Sequence, residues 1–195
     1  TKLPARTLTL DCASGCDFTN ETSKTSESLA LYDNASTAST APSAGKLTAA
    51  RSWVSGSDYS QVTYGYDAYG NQTAVTTYTG YGTASAAPTV GSSSTTTAYD
   101  TTYNTYPISQ TNELNQTTQT AYNDIIGLPI SITDVNNVTT SAQYDVFGRM
   151  VKVVAPGDSD SSPTLGITYY DTSTPFQVDL TQKVDNSGAS IRPSR

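Results

Sequence analysis

The stretch TNELNQTT, at Thr111–Thr118, recurs 22 residues later as TDVNNVTT, at Thr133–Thr140. Each copy follows a Pro-Ile-Ser segment at the same distance, beginning at Pro107 and at Pro129. Each is followed at the same distance by a tyrosine with an amide or an acid: Tyr122-Asn123 and Tyr144-Asp145. A fixed period of this length marks a repeat architecture, in which one unit cannot bury a core alone and stacks on its neighbours. The repeat therefore favours an assembly surface over an isolated active site.

Short alternating runs around the repeat predict strands, because each is rich in β-branched or aromatic residues and is bounded by Gly, Pro, Asn or Asp. The predicted strands cover 61–66, 116–122, 128–133, 138–144, 149–154 and 176–180. Between them, Asp67–Gly70 and Asp145–Gly148 both read Asp-x-x-Gly, which suits a type I turn whose glycine takes a positive φ. Asn136-Asn137 predicts a second tight turn, since Asn tolerates the left-handed backbone. Helical periodicity is scarce, so the fold class is predicted to be all-β.

The composition excludes several functions. The net charge of −7, with only ten Lys and Arg, leaves no basic patch for a nucleic acid or an anionic membrane surface. No apolar run approaches the roughly 20 residues of a membrane span. The chain has no histidine, which removes the commonest general base and the Ser-His-Asp and Cys-His sites. We therefore expect no catalytic residue, no cofactor and no membrane span.

The two cysteines, Cys12 and Cys16, lie close together in a Ser/Thr-rich, Lys-poor chain. This setting favours a small disulfide in an oxidising compartment over a pair of free thiols. A zinc site is the least favoured interpretation, because the chain supplies neither further thiolates nor imidazoles. No metal site is predicted here.

Tyrosine motifs recur beyond the 22-residue repeat. Tyr66-Asp67-Ala-Tyr-Gly70-Asn71 and Tyr144-Asp145-Val-Phe-Gly148-Arg149 resemble the signature of YD-repeat (RHS-repeat) proteins, in which Tyr-Asp is followed by a glycine and then by Arg or Asn. Further copies resemble it less completely: Tyr32-Asp33, Tyr99-Asp100, Tyr122-Asn123 with Gly127, and Tyr170-Asp171. One Tyr-Asp pair would carry no information, whereas several at this spacing form a specific signal over most of the chain.

The resemblance implies a fold and an organisation. YD-repeat proteins form spiralling sheets of stacked antiparallel β-hairpins, in a solenoid or a closed shell, as in bacterial toxin-complex shells, polymorphic toxins and teneurins. The tyrosines would then stack along the sheet, and the aspartates would satisfy turn amides. We predict an N-terminal segment at 1–31, either a degenerate repeat or an attachment element, and a hairpin array at 32–184. Residues 185–195 would form a tail or the start of a further repeat, and inserted loops are predicted at about 35–50, 79–97 and 156–163.

The chain departs from the family pattern in two respects. It holds far fewer repeats than a shell needs, and the self-cleaving segment that ends such shells is missing, so no autoproteolysis is implied. Its ends lack the polar caps that repeat arrays need, which suggests a segment of a larger protein or a protomer covered by neighbours.

Calcium binding, glycoside hydrolysis and sugar binding are alternatives to a purely structural role. Asp158-Ser159-Asp160 is read as a solvated acidic turn in preference to a calcium loop, because it lacks a full ligand set. No pair of acids stands out for glycoside hydrolysis, and recurrent tyrosines favour packing over sugar stacking.

The prediction is therefore a non-catalytic structural segment of a secreted or cell-surface protein. It would form a shell wall around a toxin domain, or a self-assembling extracellular filament through strand pairing. The alternative is an adhesion or glycan-binding module that uses exposed tyrosines and the inserted loops.

Overall fold

The protein is all-β, as the sequence predicts. The computed structural model describes residues 3, 5–11, 21–184 and 190–191. Fourteen strands occur in this part of the chain, and its single helical turn is a 3-10 turn at Glu21–Ser23. The strands are β1 (Arg6–Leu10), β2 (Lys24–Tyr32), β3 (Leu47–Ser55), β4 (Asp58–Tyr66), β5 (Gln72–Tyr78), β6 (Ser92–Tyr99), β7 (Pro107–Thr111), β8 (Thr117–Asn123), β9 (Leu128–Thr133), β10 (Thr139–Tyr144), β11 (Met150–Val154), β12 (Leu165–Tyr170), β13 (Gln177–Lys183) and β14 (Ser190–Ile191).

The chain divides into two compact units. The first comprises 1–97 together with 112–114, and the second comprises 98–111 together with 115–195. In the first unit, β1 to β6 pair antiparallel in chain order. In the second, β7 to β14 do the same. Each unit is therefore a run of hairpins in which every strand bonds to its sequence neighbours.

The 22-residue repeat is visible as matching hairpin ends. Thr111 pairs with Thr117, and Thr133 pairs with Thr139. In both pairs the two threonine hydroxyls lie 2.8 Å apart. The second residue of each copy starts a turn, which ends on a left-handed asparagine, with φ of 58° at Asn115 and 61° at Asn137. The tight turn predicted at Asn136-Asn137 is confirmed.

A second regularity accompanies four of the tyrosines. Immediately before Tyr32, Tyr66, Tyr122 and Tyr144 the ladder slips by one residue, and the extra residue lies on the strand that follows in the chain. A bulge of this kind bends the strand and raises its local twist. Because it recurs at the same motif position, it belongs to the repeat and is not a local irregularity.

Two predicted loops are shorter than expected. β3 begins at Leu47, inside the predicted loop 35–50, and β6 begins at Ser92, inside the predicted loop 79–97. The Ser/Thr run at 92–97 has the composition of a loop, but β5 offers it a ladder and threonine suits a pleated surface. The loops themselves span 33–46 and 79–91.

The predicted N-terminal segment 1–31 contributes β1 and most of β2 to the hairpins of the first unit. Cys12 and Cys16 lie outside the described residues, so the disulfide stays a prediction. At the other end, β14 lies inside the predicted segment 185–195 and pairs with β13. No helix in the described residues is long and apolar enough to cross a membrane.

Candidate functional site: the aspartate turns and the tyrosine hydroxyls

The turn after β4 shows what the motif aspartate does. Asp67 Oδ1 accepts hydrogen bonds from the backbone N–H of Tyr69 and of Asn71, both at 2.9 Å. Its Oδ2 accepts from the Asn71 side-chain amide at 2.9 Å. Gly70 takes a φ of 95°, which confirms the predicted positive φ. One carboxylate therefore satisfies a turn that would otherwise leave two N–H groups without partners.

The turn after β10 repeats this geometry. Asp145 Oδ1 accepts from the backbone N–H of Phe147 and of Arg149 at 2.9 Å, and Gly148 has a φ of 76°. Here an arginine replaces Asn71. Its Nε donates to Asp145 Oδ2 at 2.7 Å, while its Nη1 and Nη2 donate to the two carboxylate oxygens of Asp171 at 2.7 and 2.9 Å. Arg149 thus links two successive YD motifs through a two-pronged bond.

Two aspartates hold longer turns with more donors. Asp33 Oδ2 accepts from three backbone N–H groups, those of Ser43, Ala44 and Gly45, and its Oδ1 accepts from that of Lys46. The Gly45 bond, with those of the other three amides, holds the pKa of Asp33 far below its usual range against the opposing effect of burial.

Asp100 accepts from the amides of Thr102, Tyr103, Thr105 and Tyr106. Burial raises the pKa of Asp100, but these bonds outweigh it and lower that pKa to about 2. Asn123 holds its turn in the same way with an uncharged side chain: its Oδ1 accepts hydrogen bonds from the backbone N–H groups of Ile125 and Ile126.

Three tyrosine hydroxyls each donate a hydrogen bond to a backbone carbonyl of the preceding strand in the sheet. Tyr66 donates to the carbonyl of Leu47 at 2.9 Å, and Tyr144 donates to that of Pro129 at 2.9 Å. In the last copy the donor is Tyr169, which reaches the carbonyl of Met150 at 3.1 Å. In each case the hydroxyl crosses to the strand that precedes its own in the sheet, so it fastens one hairpin to the previous one.

The predicted role of Tyr170 needs correction. Its neighbour Tyr169 occupies the hydroxyl position that Tyr66 and Tyr144 hold in their copies, whereas Tyr170 is 40% exposed and donates to Asp179 Oδ2 at 3.2 Å. The double tyrosine shifts the motif by one residue, so the Tyr-Asp dipeptide misidentifies the structural ring. Arg149 confirms the assignment, since its guanidinium lies 4.1 Å from the centre of the Tyr169 ring.

Stacking of rings is local. Tyr106 stacks on Tyr122 with centroids 5.0 Å apart and an angle of 22° between the planes. Gly127, with a φ of 69°, lies against Tyr106, whose hydroxyl oxygen would be 3.2 Å from an added Cβ. Tyr99 is the last residue of β6, directly before Asp100.

The prediction of a solvated acidic turn at Asp158-Ser159-Asp160 is wrong for Asp158, whose side chain is 10% exposed, whereas the side chain of Asp160 is 72% exposed. Asp158 forms an ion pair with Lys183 of β13 and accepts from Thr164 Oγ1 at 2.5 Å. These two hydrogen bonds, from Lys183 and then Thr164, lower the pKa of Asp158. Asp160 accepts from Gln143 at 2.9 Å and lies 3.5 Å from Lys152 Nζ. Both carboxylates already have cationic partners, and the residues that the structure describes contain no group of three metal-ligating side chains.

The sequence does not point to a buried polar cluster in the first unit. Glu27 accepts from Arg6 Nε at 2.5 Å, from Lys24 Nζ at 2.7 Å and from the Tyr59 hydroxyl. A cleft of about 330 Å³ opens beside it. Burial raises the pKa of Glu27, but the bonds from Lys24, Tyr59 and Arg6 outweigh it and lower that pKa to about 2.

Arg51 is the second residue to which the sequence does not point. Its Nε donates to Gln61 Oε1 at 2.6 Å, and its Nη1 donates to the carbonyls of Ser36 at 3.2 Å and Ala84 at 2.8 Å. Those carbonyls belong to the loops 33–46 and 79–91, so one side chain holds both loops against the sheet. A single arginine in a polar strand gives no signal of such a role, because both acceptors are backbone atoms remote in sequence.

No family model matches the chain, and no curated protein matches it. The resemblance to YD-repeat proteins therefore stays a prediction that rests on the motifs.

Proposed function

We propose that the chain is a non-catalytic structural segment of a secreted or cell-surface YD-repeat protein. One observation carries this proposal: the polar groups of the motif are occupied by the backbone. The aspartates bind turn amides and the tyrosine hydroxyls bind carbonyls of the preceding strand, in successive hairpins. Groups used in this way build sheet and are not available for chemistry.

The assembly would be a shell wall around a toxin domain or an extracellular filament joined by strand pairing. In both forms, the repeat supplies a ladder that another strand can extend. Electron microscopy of the particle purified from its source distinguishes them. Hollow particles would support the shell, and filaments with a regular rise would support the fibre. Discrete particles of one or two chains without either form would contradict the scaffold.

A second candidate function is adhesion to glycans. Three tyrosines at turns and loops are exposed, Tyr69 by 71%, Tyr81 by 57% and Tyr103 by 54%, and an exposed ring suits a sugar face. A glycan array probed with the wild-type chain and with Tyr81→Ala and Tyr103→Ala tests it. Binding that both substitutions abolish would support adhesion, while binding that neither changes would contradict it.

A further inference from the structure

Four consecutive hairpin turns, those that follow β7, β8, β9 and β10, each place one residue in left-handed backbone. After β8 and β10 this residue is a glycine, Gly127 and Gly148. After β7 and β9, in the two copies of the 22-residue repeat, it is an asparagine, Asn115 and Asn137. Glycine adopts a positive φ without strain, whereas asparagine only tolerates it. The backbone conformation alone therefore does not account for an asparagine in both repeat turns.

The asparagine side chains do not hold these turns closed. After β9 the turn is closed by Asp134, whose Oδ1 accepts from the backbone N–H of Asn136 at 2.8 Å and of Val138 at 2.9 Å. Asn115 and Asn137 are both exposed, and neither side chain forms a hydrogen bond with a residue that the structure describes. Each turn thus presents to solvent an amide nitrogen that the fold does not use.

Both asparagines start the tripeptide Asn-x-Thr, as Asn115-Gln-Thr117 and Asn137-Val-Thr139. This tripeptide is the acceptor for N-linked glycosylation, which adds a bulky, solubilising group at the surface of a secreted protein. Thr117 and Thr139 are the first residues of β8 and β10. In both copies of the repeat, the acceptor therefore coincides with the exposed end of a hairpin.

The surroundings of the repeat turns distinguish them from other acceptor tripeptides. Asn71 starts such a tripeptide, but its side-chain amide donates to Asp67 Oδ2 at 2.9 Å inside the aspartate turn. A sugar on this nitrogen would crowd the carboxylate that closes the turn. Asn34 starts another in the loop 33–46, outside the repeat, where no second copy marks a repeated role.

We propose that Asn115 and Asn137 are N-glycosylation sites. The co-reactant is an oligosaccharide linked to a lipid pyrophosphate. The side-chain nitrogen attacks C1 of the first sugar, the bond from C1 to the pyrophosphate oxygen breaks, and the nitrogen loses one proton as the lipid pyrophosphate leaves. No electron is exchanged with an oxidant or a reductant. The inference rests on the proposed secreted or cell-surface location, because this transfer takes place on the secretory route.

Glycans at the two repeat turns would stand side by side. The hairpins β7–β8 and β9–β10 are adjacent in the sheet, so their tips lie two strand spacings apart, which is about 10 Å. A sugar on Asn137 would also shield Val135 and Val138, which are 44% and 39% exposed. Because both sites lie at turns, the glycans would leave strand pairing at the sheet edges unobstructed.

Glycopeptide mapping of the chain purified from its source tests the inference. Mass spectrometry, with fragmentation that keeps the sugar on its residue, should find a glycan on Asn115 and on Asn137. Two asparagines serve as internal controls. Asn136 is also exposed but has Val138 two positions on, without a hydroxyl, and Asn71 has the hydroxyl but an amide bound to the turn carboxylate. Both controls should be unmodified.

Substitutions on β10 separate the acceptor hydroxyl from a general effect on the strand. Thr139→Val removes the hydroxyl and keeps the branched shape, so Asn137 should lose its glycan while Asn115 keeps its own. Thr139→Ser retains a hydroxyl and should retain the glycan on Asn137. Thr140→Val makes the same change one residue further along and should leave both glycans in place. Circular dichroism confirms that each variant is folded before it is mapped.

A wild-type chain without a glycan at either site would overturn the inference. Equal modification of Asn136 or Asn71 would overturn it as well, and so would equal loss in Thr139→Val and Thr140→Val. The mapping of the wild type needs no variant, so a variant that fails to fold does not remove the test. An unmodified chain recovered from outside the cell would overturn this inference alone, whereas an unmodified chain recovered only from the cytosol would overturn the proposed function too.

Discussion

The two units build the same hairpins but cover them differently. In the first, the loops 33–46 and 79–91 lie over one sheet face, where Arg51 donates to a carbonyl of each loop and to Gln61. Glu27 lies on the same face and binds Arg6, Lys24 and Tyr59. In the second, the loop 155–164, the longest among the described residues of this unit, binds Lys152 and Lys183 on one face. The opposite face carries mostly aliphatic side chains, such as Ile132, Val153 and Leu180. The difference teaches that loop placement decides which face can hold polar residues. A face covered by loop backbone needs hydrogen-bond donors for the loop carbonyls, and a face without such a loop does not.

The contrast between the two units can first be tested by shortening a leucine side chain in each of them. Leu31 is 1% exposed and is the largest fully buried side chain among the described residues, so Leu31→Ala should lower the free energy of unfolding by about 3 kcal/mol. Leu165→Ala, in the second unit, should cost about 1 kcal/mol because the side chain is only half-buried. Denaturant titration followed by Trp53 fluorescence for the first unit and by hydrogen exchange for the second measures both. Equal losses would contradict the contrast.

Acid should act on the first unit through Glu27. Its pKa is about 2 in the folded chain and about 4.3 in an unfolded chain, so its contribution is complete above the unfolded value and is lost as the pH falls towards 2. We expect about 2 kcal/mol of stability to disappear over this window. Glu27→Gln should remove that pH dependence while lowering stability at neutral pH. A Glu27→Gln variant with an unchanged acid titration would contradict the role of Glu27.

Arg51→Met should release the two covering loops. Loss of the bonds to Ser36 and Ala84 should speed amide exchange in 33–46 and 79–91 by about tenfold, because these loops open locally once their anchor is gone. Lys183→Met provides the comparison in the second unit, where the increase should stay within 155–164. Loops that keep wild-type exchange in Arg51→Met would show that other contacts hold them.

Substitutions of two glycines test how much the turn geometry contributes to the stability of the second unit. Gly148 has a φ of 76°, so Gly148→Ala should cost about 1 kcal/mol through backbone strain. Gly166 lies in β12 without a positive φ, and an added Cβ would meet nothing within 4 Å. Gly166→Ala should therefore be neutral or slightly stabilising. Thermal unfolding of both variants checks this, and a reversed order would contradict the turn geometry.

Local signals make much of this fold predictable. The Asp67–Gly70 and Asp145–Gly148 turns, the left-handed Asn137 and the strand at 128–133 follow from residues a few positions apart. The motif groups Asp33 with the other aspartates, but it does not indicate that Asp33 binds amides ten to thirteen residues away.

The features that the sequence does not predict depend on distant partners or on local ambiguity. Arg51 binds backbone carbonyls 15 and 33 residues away, and Glu27 meets Tyr59 across 32 residues. Neither an arginine nor a glutamate indicates by its position in the sequence that it makes such a contact. The Ser/Thr run of β6 has the composition of a loop and becomes a strand because β5 lies beside it. The choice between Tyr169 and Tyr170 depends on register, which a dipeptide motif does not encode.

Hydrogen exchange of the intact chain, read by mass spectrometry at about 1 µM, tests the contrast between the units most directly, since monomers should dominate there. Amides of β2 to β4, under the two loops, should exchange about 100-fold more slowly than those of β8 to β13, because only in the first set do loops lie over the face that carries the aliphatic side chains. Equal protection of the two sets, or slower exchange in β8 to β13, would contradict the claim that loops cover this face in the first unit and leave it open in the second.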